Sequence, residues 1–268
     1  MSFRLVETDG IELFVSEKLE TAGAVHAFTT RVGGVSGGDY ASLNLRVNCE
    51  DSRENVEKNY EILAKALGFS IDDVVMSRQV HGKLVRRADT GEGLFSSDRP
   101  DADAVISDRP LALFVFVADC VPILLYDRAT GAAAAVHAGW RGTALDIVGA
   151  AVERMAEEYG TRARDIVAAI GPHICCGCFE CGGEVGDAMT ERYGADVARF
   201  LVKKGGKVHP DLGLINMYAL ARAGVPERNI DLCDECTRCT PKLFWSHRLT
   251  GDRRGVQGAV ILPGRDAK

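Results

Sequence analysis

Short apolar runs bounded by turn-forming residues recur along the chain, and they predict more strands than helices. The longest of them is interrupted only at Asp119 and Pro122, which divides it into two strands. The order of elements does not alternate regularly between strand and helix, so a parallel βαβ sheet is not expected. The predicted strands cover residues 12–15, 26–29, 74–76, 83–86, 104–107, 111–117, 121–126, 132–137, 166–170, 230–233 and 255–262.

Four stretches repeat apolar residues at helical spacing. The first can be capped by Asp51 or Ser52 and is stopped by Gly68. The second can be capped by Thr143, just after a glycine-rich turn. The first predicted helix runs from its cap to residue 67. The other three cover residues 144–159, 184–193 and 214–223. Together with the strands they indicate one mixed α/β domain over residues 1–268, with no linker or repeat dividing it.

Composition narrows the class of protein. Apolar residues make up 46% of the 268 positions, enough for a core, and the formal charge of −6 argues against a general nucleic-acid binder. The N-terminal residues carry acids and no apolar signal region. The apolar stretch 111–126 is too short and too interrupted to cross a bilayer. We therefore expect a cytoplasmic protein without nucleic-acid or membrane partners.

Three residues at abrupt ends of the apolar pattern are candidate metal ligands: His81, Cys120 and His137. Zinc prefers imidazole nitrogen and thiolate sulfur, and three protein ligands leave a fourth position open for water or substrate. Spacing alone does not join them, because they are far apart in the chain. Cys120 could be a small core residue and His81 a surface residue of a hairpin.

The turn that follows His137 is a candidate anion site. Glycines 139 and 142 permit tight turns, and the expected helix start at Thr143 would present free N–H groups beside Arg141. The alternative is a plain strand–helix connection with a packed Trp140. Next to Cys120, Asp119 is a carboxylate in an apolar setting, which needs a partner.

Seven of the nine cysteines fall in two groups near the C-terminus. Their C-x-x-C spacings suit zinc or an iron–sulfur cluster, and reduced structural thiols close in space are the alternative. An odd number of cysteines does not resemble a secreted disulfide scaffold. The groups are Cys175, Cys176, Cys178 and Cys181, and Cys233, Cys236 and Cys239.

Motifs spread over nearly the whole chain resemble the YfiH/laccase-domain family, also described as multicopper polyphenol oxidoreductase-like or purine nucleoside phosphorylase-like proteins. Two segments depart from the family pattern: Phe179-Glu180-Cys181-Gly182 stands for Tyr-Glu-Val-Gly, and Ser246-His247-Arg248 for Ser-Tyr-Arg. The matching motifs are Phe28-Thr29-Thr30-Arg31 with Gly33-Gly34-Val35-Ser36, Ser42-Leu43-Asn44-Leu45, Gln79-Val80-His81-Gly82, Ala102-Asp103-Ala104, Ala118-Asp119-Cys120-Val121-Pro122, His137 to Gly142, Ile170-Gly171-Pro172 and Ser246-His247-Arg248.

The resemblance implies a single α/β domain with a central mixed sheet packed by helices. It implies that His81, Cys120 and His137 bind one zinc ion and take part in catalysis. It also implies activity on purine nucleosides: phosphorolysis of adenosine, inosine and methylthioadenosine with inorganic phosphate, and deamination of adenosine. Asp119 is the candidate general acid or base. The substrate-binding candidates are Arg31, Asn44, Arg141 and Thr143.

Two other activities stay open. The laccase name implies copper and phenol oxidation, but several copper centres need more imidazole ligands than six histidines readily supply. A Cys–His hydrolase that uses Cys120 as its nucleophile is the second. Zinc with nucleoside chemistry fits better, because zinc lowers the pKa of a bound water towards neutrality.

Overall fold

The computed structural model describes residues 3–264, which form seven α-helices and fourteen strands. The helices are α1 Glu17–Thr21, α2 Arg53–Leu67, α3 Trp140–Ala144, α4 Ile147–Tyr159, α5 Gly183–Tyr193, α6 Leu212–Arg222 and α7 His247–Thr250. The strands are β1 Phe3–Thr8, β2 Ile11–Ser16, β3 Val25–Thr29, β4 Val74–Val75, β5 Val85–Arg87, β6 Ala104–Ser107, β7 Ala112–Val117, β8 Val121–Asp127, β9 Ala133–Ala138, β10 Ile166–Ile170, β11 Leu201–Lys204, β12 Lys207–Pro210, β13 Ile230–Leu232 and β14 Gln257–Leu262.

The strands form two six-stranded sheets and a separate β11–β12 hairpin. The first sheet has the order β1-β2-β3-β14-β7-β4, and the second has the order β13-β10-β8-β9-β6-β5. Both are mixed: β4 runs parallel to β7 in the first, and β13 and β5 run parallel to β10 and β6 in the second. The remaining neighbours are antiparallel.

The two sheets pack face to face and helices cover their outer faces. One buried cluster combines Leu113 and Ile261 of the first sheet with Leu124 and Ala135 of the second. A second cluster packs α4, α5 and α6 on the outer face of the second sheet, and a third packs α2 on the first. The layers therefore run helix, sheet, sheet, helix, which buries both faces of the central strands.

Strand composition follows from this layering. Every residue of β8 and β9 is buried, because each strand has a sheet on one side and helices on the other. The alanines of β9 are small enough to let both layers approach closely. The continuous apolar runs that predicted these strands are typical of such doubly covered positions.

The mixed α/β class is confirmed, and one detail is corrected: two sheets replace the single central sheet that the family resemblance implied. Alternating patterns do not reveal which strands share a sheet, because that depends on pairings between distant segments. The elements that were not anticipated are β1, α1, α3, the β11–β12 hairpin and α7. A single domain over residues 1–268 stays a prediction.

The expected helix start at Thr143 is wrong. The turn after β9 forms the short helix α3, which begins after Gly139, and Thr143 lies buried inside it. Helix α4 then begins after Asp146, whose side chain accepts a hydrogen bond from the N–H of Gly149. Thr143 cannot present a free N–H group, since its own donates to the carbonyl of Gly139.

The predicted cap and stop of the first helix are confirmed. Ser52 caps α2, accepting a hydrogen bond from the N–H of Asn55, and Gly68 ends the helix in a left-handed conformation. Among residues 3–264, no helix combines the length and the apolar character that a membrane span requires.

Candidate active site

The candidate site lies where the chain crosses from the first sheet to the second. Strand β7 ends at Val117 in one sheet, and β8 begins at Val121 in the other. The turn between them holds Asp119 at a φ of 95°, a conformation that side chains other than glycine adopt rarely. This crossing delivers Cys120 to the junction between the sheets.

The structure brings His81, Cys120 and His137 together. Their ligand atoms all lie within 4.8 Å of one another. The sulfur of Cys120 is 3.9 Å from Nε2 of His81, and the two imidazole rings meet edge to face with centroids 4.9 Å apart. His137 is buried at the end of β9, whereas His81 is exposed on a loop. Two imidazoles and a thiol at these separations are a set that can hold one metal ion.

Asp103 fixes both histidines from behind. Its Oδ1 lies 2.9 Å from Nδ1 of His137 and also accepts a hydrogen bond from the N–H of His81. Its Oδ2 accepts one from the N–H of Gly82 at 2.7 Å. Because Nδ1 of His137 faces a carboxylate, Nε2 is left to face Cys120 and the site. The carboxylate thus orients one ring directly and the other through its loop.

Charge at the site favours a thiolate. Burial alone would raise the pKa of Cys120, but the neighbouring His137 and His81 outweigh burial and lower it to about 6. Burial alone would lower the pKa of His137, but Cys120 and Asp103 outweigh it and raise it to about 9. Thiolate sulfur is the form that binds metals and attacks electrophiles.

The loop that carries His81 is anchored to the first sheet, and a glycine makes room for it. The side-chain amide of Gln79 donates to the carbonyl of Phe116 and accepts from its N–H, each at 2.8 Å, as a neighbouring strand would. A Cβ added at Gly139 would lie 2.9 Å from Cδ2 of His81 and 3.2 Å from the sulfur of Cys120. Only glycine fits at this position without moving the two ligands.

Both carboxylate oxygens of Asp119 already hold neighbouring segments. Oδ1 accepts a hydrogen bond from Oγ1 of Thr237, and Oδ2 accepts one from the N–H of Arg248, each at 2.6 Å. The backbone carbonyl of Asp119 accepts a third from the N–H of Ile174. Asp119 is therefore placed to hold the Cys120 turn against three segments: the loops after β10 and β13, and helix α7.

The three ligands open onto a cavity of about 450 Å³, within the range of small-molecule sites. Its walls include the rings of Phe116, Trp140 and Phe179, which give flat apolar surfaces. The full lining comprises Gln79, His81, Phe116, Val117, Ala118, Asp119, Cys120, His137, Trp140, Arg141, Ile174, Phe179, Leu212, His247, Arg248, Arg254 and Val256.

Three arginines give the cavity its positive charge. Arg141, Arg248 and Arg254 line it, and none forms an ion pair with a carboxylate within residues 3–264. The Nε of Arg254 is buried without a hydrogen-bond partner in the described chain. Burial, more than any neighbour, lowers the pKa of Arg254. A partly buried cation without an acidic partner is a favourable contact for an anion.

Three of the expected substrate-binding residues lie outside this lining. The guanidinium of Arg31 donates to the carbonyls of Ala41 and Pro241. Asn44 is buried, and its Oδ1 accepts from the N–H of Val256, a lining residue. Thr143 accepts a hydrogen bond from Asn216. Each supports the fold around the site, and Arg141 is the one expected substrate contact that the structure places in the cavity.

Comparison with known proteins identifies the family. The model of the multi-copper polyphenol oxidoreductase laccase family matches residues 25–263. The chain belongs to this family. A purine nucleoside phosphorylase from Bacteroides thetaiotaomicron is 37% identical over 247 residues, 89% of this chain and 90% of the relative. The adenosine deaminase RL5 from an unknown prokaryotic organism is 37% identical, with 91% and 96% covered.

A solved structure shows the same fold for the family. YlmD from Geobacillus stearothermophilus superposes with a TM-score of 0.91 at 32% identity, and 98% of each chain is covered. The whole arrangement of layers is therefore shared with this relative. The resemblance inferred from the sequence motifs is confirmed, since the motifs lie inside the matched span.

Asp103 and Arg254 are among the residues of this laccase-family site that were missed from the sequence. Asp103 belongs to a matching family motif, and an acid at the start of an apolar strand is the signal that could have singled it out. Arg254 follows another arginine in an exposed-looking stretch, Gly251-Asp252-Arg253-Arg254, which carries no such signal. Its position in the cavity depends on β14, which returns to the first sheet from the far end of the chain.

Proposed function

We propose that this protein is a zinc-dependent enzyme of purine nucleosides. It cleaves adenosine, inosine or methylthioadenosine with inorganic phosphate and also deaminates adenosine. The observation that carries the proposal is a three-ligand metal set that opens onto a cavity with three arginines. Relatives named purine nucleoside phosphorylase and adenosine deaminase support an enzyme that acts on nucleosides.

The donors in the set fit zinc. His137 offers one imidazole nitrogen, His81 a second and Cys120 a thiolate, and all three residues line the cavity. When bound there, zinc would supply Lewis-acid chemistry, since it polarises oxygen and lowers the pKa of water. Asp103 supports the assignment, because carboxylates commonly hold the far nitrogen of a ligating histidine.

The cavity has separate surfaces for the purine base and for phosphate. A purine can stack on Phe116, Trp140 or Phe179, because every base has a π-face. Phosphate can be held by Arg254 and Arg141 through charge-assisted hydrogen bonds. In phosphorolysis a phosphate oxygen forms a bond to the sugar's anomeric carbon, the bond to the purine nitrogen breaks, and the base takes up a proton.

For deamination, water adds to the purine carbon that carries the amino group, and ammonia leaves. Both reactions move a proton, and Asp119 was the expected carrier. With both oxygens engaged by Thr237 and Arg248, we assign Asp119 to positioning Cys120 instead. His247 lines the same cavity, and its imidazole is the group we assign to carry this proton.

One alternative rests on an observation of this site. The lowered pKa of Cys120 beside His81 gives the metal-free protein a nucleophile of the kind that Cys–His hydrolases use. Copper-dependent phenol oxidation receives less support: among residues 3–264 no metal-ligand group contains three histidines. Metal analysis with oxygen uptake tests that second alternative directly.

The test is product analysis with adenosine. Protein purified with its metal is incubated with adenosine, with and without phosphate, and products are separated by chromatography. We expect adenine only when phosphate is present, and inosine in both cases. His81→Ala should abolish both products, whereas Val80→Ala, an exposed neighbour in the same loop, should keep them. The proposal fails if His81→Ala and the unmodified protein give the same products at the same rates.

A further inference from the structure

A second group of metal ligands lies outside the cavity lining. The sulfurs of Cys175, Cys178, Cys236 and Cys239 all lie within 4.8 Å of one another. The first pair is in the loop that follows β10, and the second pair is in the loop that follows β13. We call these four residues the four-cysteine cluster.

The sheet explains why the two loops meet. Strands β10 and β13 are parallel neighbours, so their chains leave the same edge side by side. The pairing continues beyond the strands: the N–H of Cys233 donates to the carbonyl of Ile170, and His173 exchanges hydrogen bonds with Glu235 and Thr237. This register places each C-x-x-C segment opposite the other.

The separations suit one tetrahedral ion. Zinc–sulfur bonds of about 2.3 Å place tetrahedral sulfurs roughly 3.8 Å apart. The sulfurs of Cys178 and Cys239 are 3.4 Å apart, too far for a disulfide, and all four cysteines are free thiols. An iron–sulfur cluster inserts several atoms between its thiolates and therefore needs wider spacing. Four sulfurs without a carboxylate favour a soft divalent ion.

Neighbouring donors support thiolates at this cluster. The N–H of Cys175 donates to the sulfur of Cys236 at 3.2 Å. The guanidinium of Arg238 donates to the sulfur of Cys178 at 3.4 Å. Four thiolates around a divalent ion leave an excess of negative charge, which Arg238 partly offsets.

The other cysteines of the region point elsewhere. The thiol of Cys176 donates to the carbonyl of His209, and that of Cys181 to the carbonyl of Phe179. Cys233 is buried in the core between the sheets. The geometry therefore selects four of the seven cysteines: the C-x-x-C pair Cys175 and Cys178, and the C-x-x-C pair Cys236 and Cys239.

We propose that the four-cysteine cluster binds a second zinc ion in a closed structural site that ties these two loops together. Four protein ligands leave no position for a substrate. The tied loops build one side of the active site: Ile174 and Phe179 line the cavity, and Thr237 holds Asp119. The cluster thus positions the cavity wall without taking part in the reaction.

Metal content tests this inference. Protein purified under reducing conditions without a chelator should contain two zinc ions per chain. Cys236→Ser should contain one and unfold at a lower temperature, because a ligand of the tie is lost. Cys176→Ser is the matched control: it lies beside Cys175 in the same turn, and a serine hydroxyl can keep its bond to His209. It should keep two zinc ions.

A measurement on the unmodified protein guards against a variant that does not fold. An anomalous difference map from crystals, recorded at the zinc absorption edge, should show two peaks, one of them surrounded by four sulfurs. A single peak at His81, Cys120 and His137 would overturn the proposal. So would a disulfide between Cys178 and Cys239 in freshly purified protein, iron with acid-labile sulfide, or equal zinc content in Cys236→Ser and the unmodified protein.

Discussion

The two ligand groups of this molecule show opposite designs. His81, Cys120 and His137 come from three separate segments at the junction of the sheets, and a buried carboxylate stands behind them. The four-cysteine cluster comes from two loops beside parallel strands, and Cys239 is exposed to solvent. The group of His81, Cys120 and His137 has three ligands and lines the cavity, and we call it the open group. The four-cysteine cluster has four ligands and does not line the cavity, and we call it the closed group.

This difference in ligand number indicates a catalytic role for the three-ligand group and a structural role for the four-cysteine cluster. Mixed nitrogen and sulfur donors with an open side allow a substrate to approach the ion, while four sulfurs close their ion off. The open group also depends on surrounding residues for its geometry, since Gly139 and Asp103 fix it from two sides. The closed group needs little beyond its own spacing and the register of β10 and β13.

Asp103→Asn probes the carboxylate that only the open group uses. The amide cannot hold a charged or hydrogen-donating His137 ring as the carboxylate does, so metal affinity should fall by about 10–100-fold. Zinc affinity is measured by competition with a chromogenic chelator. Asp101→Asn, an exposed neighbour paired with Arg78, should leave affinity unchanged. Equal losses in both variants would show that Asp103 does not orient the ligands.

Arg254→Ala probes the anion-binding side of the cavity. Loss of a charge-assisted hydrogen bond worth about 1.5–3 kcal/mol predicts a rise of roughly 10–100-fold in the KM for phosphate. Deamination, which uses no phosphate, should change far less. The control is Arg253→Ala, whose side chain is exposed and pairs with Asp39. Steady-state rates at varied phosphate decide, and an unchanged KM would remove Arg254 from the phosphate site.

Alkylation of the metal-free protein compares single thiols. With a pKa of about 6, Cys120 is mostly thiolate at pH 7 and loses that form as the pH falls through 6. Burial more than any neighbour raises the pKa of Cys181 to about 11, so it should react at least tenfold more slowly at pH 7. Iodoacetamide rates per peptide, read by mass spectrometry, test this. A Cys120 rate that still climbs steeply above pH 8 would contradict it.

Glycine-to-alanine changes near each group test how tightly the surrounding backbone packs against its ligands. A Cβ at Gly139 crowds His81 and Cys120, and overpacking of about 1–3 kcal/mol predicts a loss of roughly 5- to 150-fold in metal affinity at the open group. At Gly177 the nearest atom to an added Cβ is the sulfur of Cys175, 3.9 Å away. Gly177→Ala should therefore keep the zinc of the four-cysteine cluster. Zinc content of both variants after dialysis against a weak chelator is the measurement.

Sequence patterns predicted eleven of the fourteen described strands, and local signals were clear for two of the three ligand positions. Cys120 ends an apolar run and His137 ends an alanine-rich strand, and in the structure both lie at strand ends. His81 was a candidate on the same ground, but its local sequence fits a surface residue of a hairpin equally well, and the family motif favoured the ligand. The mixed α/β class followed from the order of the runs, whereas the division into two sheets depends on pairings such as β3 with β14.

The helix start after β9 was misplaced for a local reason. Thr143 looked like a cap because it follows two glycines, but Asp146 caps α4 and Thr143 lies within α3. The competing signal at Asp146 was present, just before an apolar residue. Which cysteines would meet was beyond local patterns, since Cys175 and Cys236 are 61 residues apart. Only the parallel pairing of β10 with β13 brings them together.

The most direct test of zinc catalysis at His81, Cys120 and His137 is product formation by His137→Ala in protein that still holds the zinc of the four-cysteine cluster. The variant is purified, its zinc is counted, and adenosine is supplied with phosphate. We predict one zinc ion per chain, a folded protein, and a rate of adenine and inosine formation lower by on the order of 1,000-fold, since metal assistance is worth several kcal/mol. One zinc ion with an unchanged rate would contradict it.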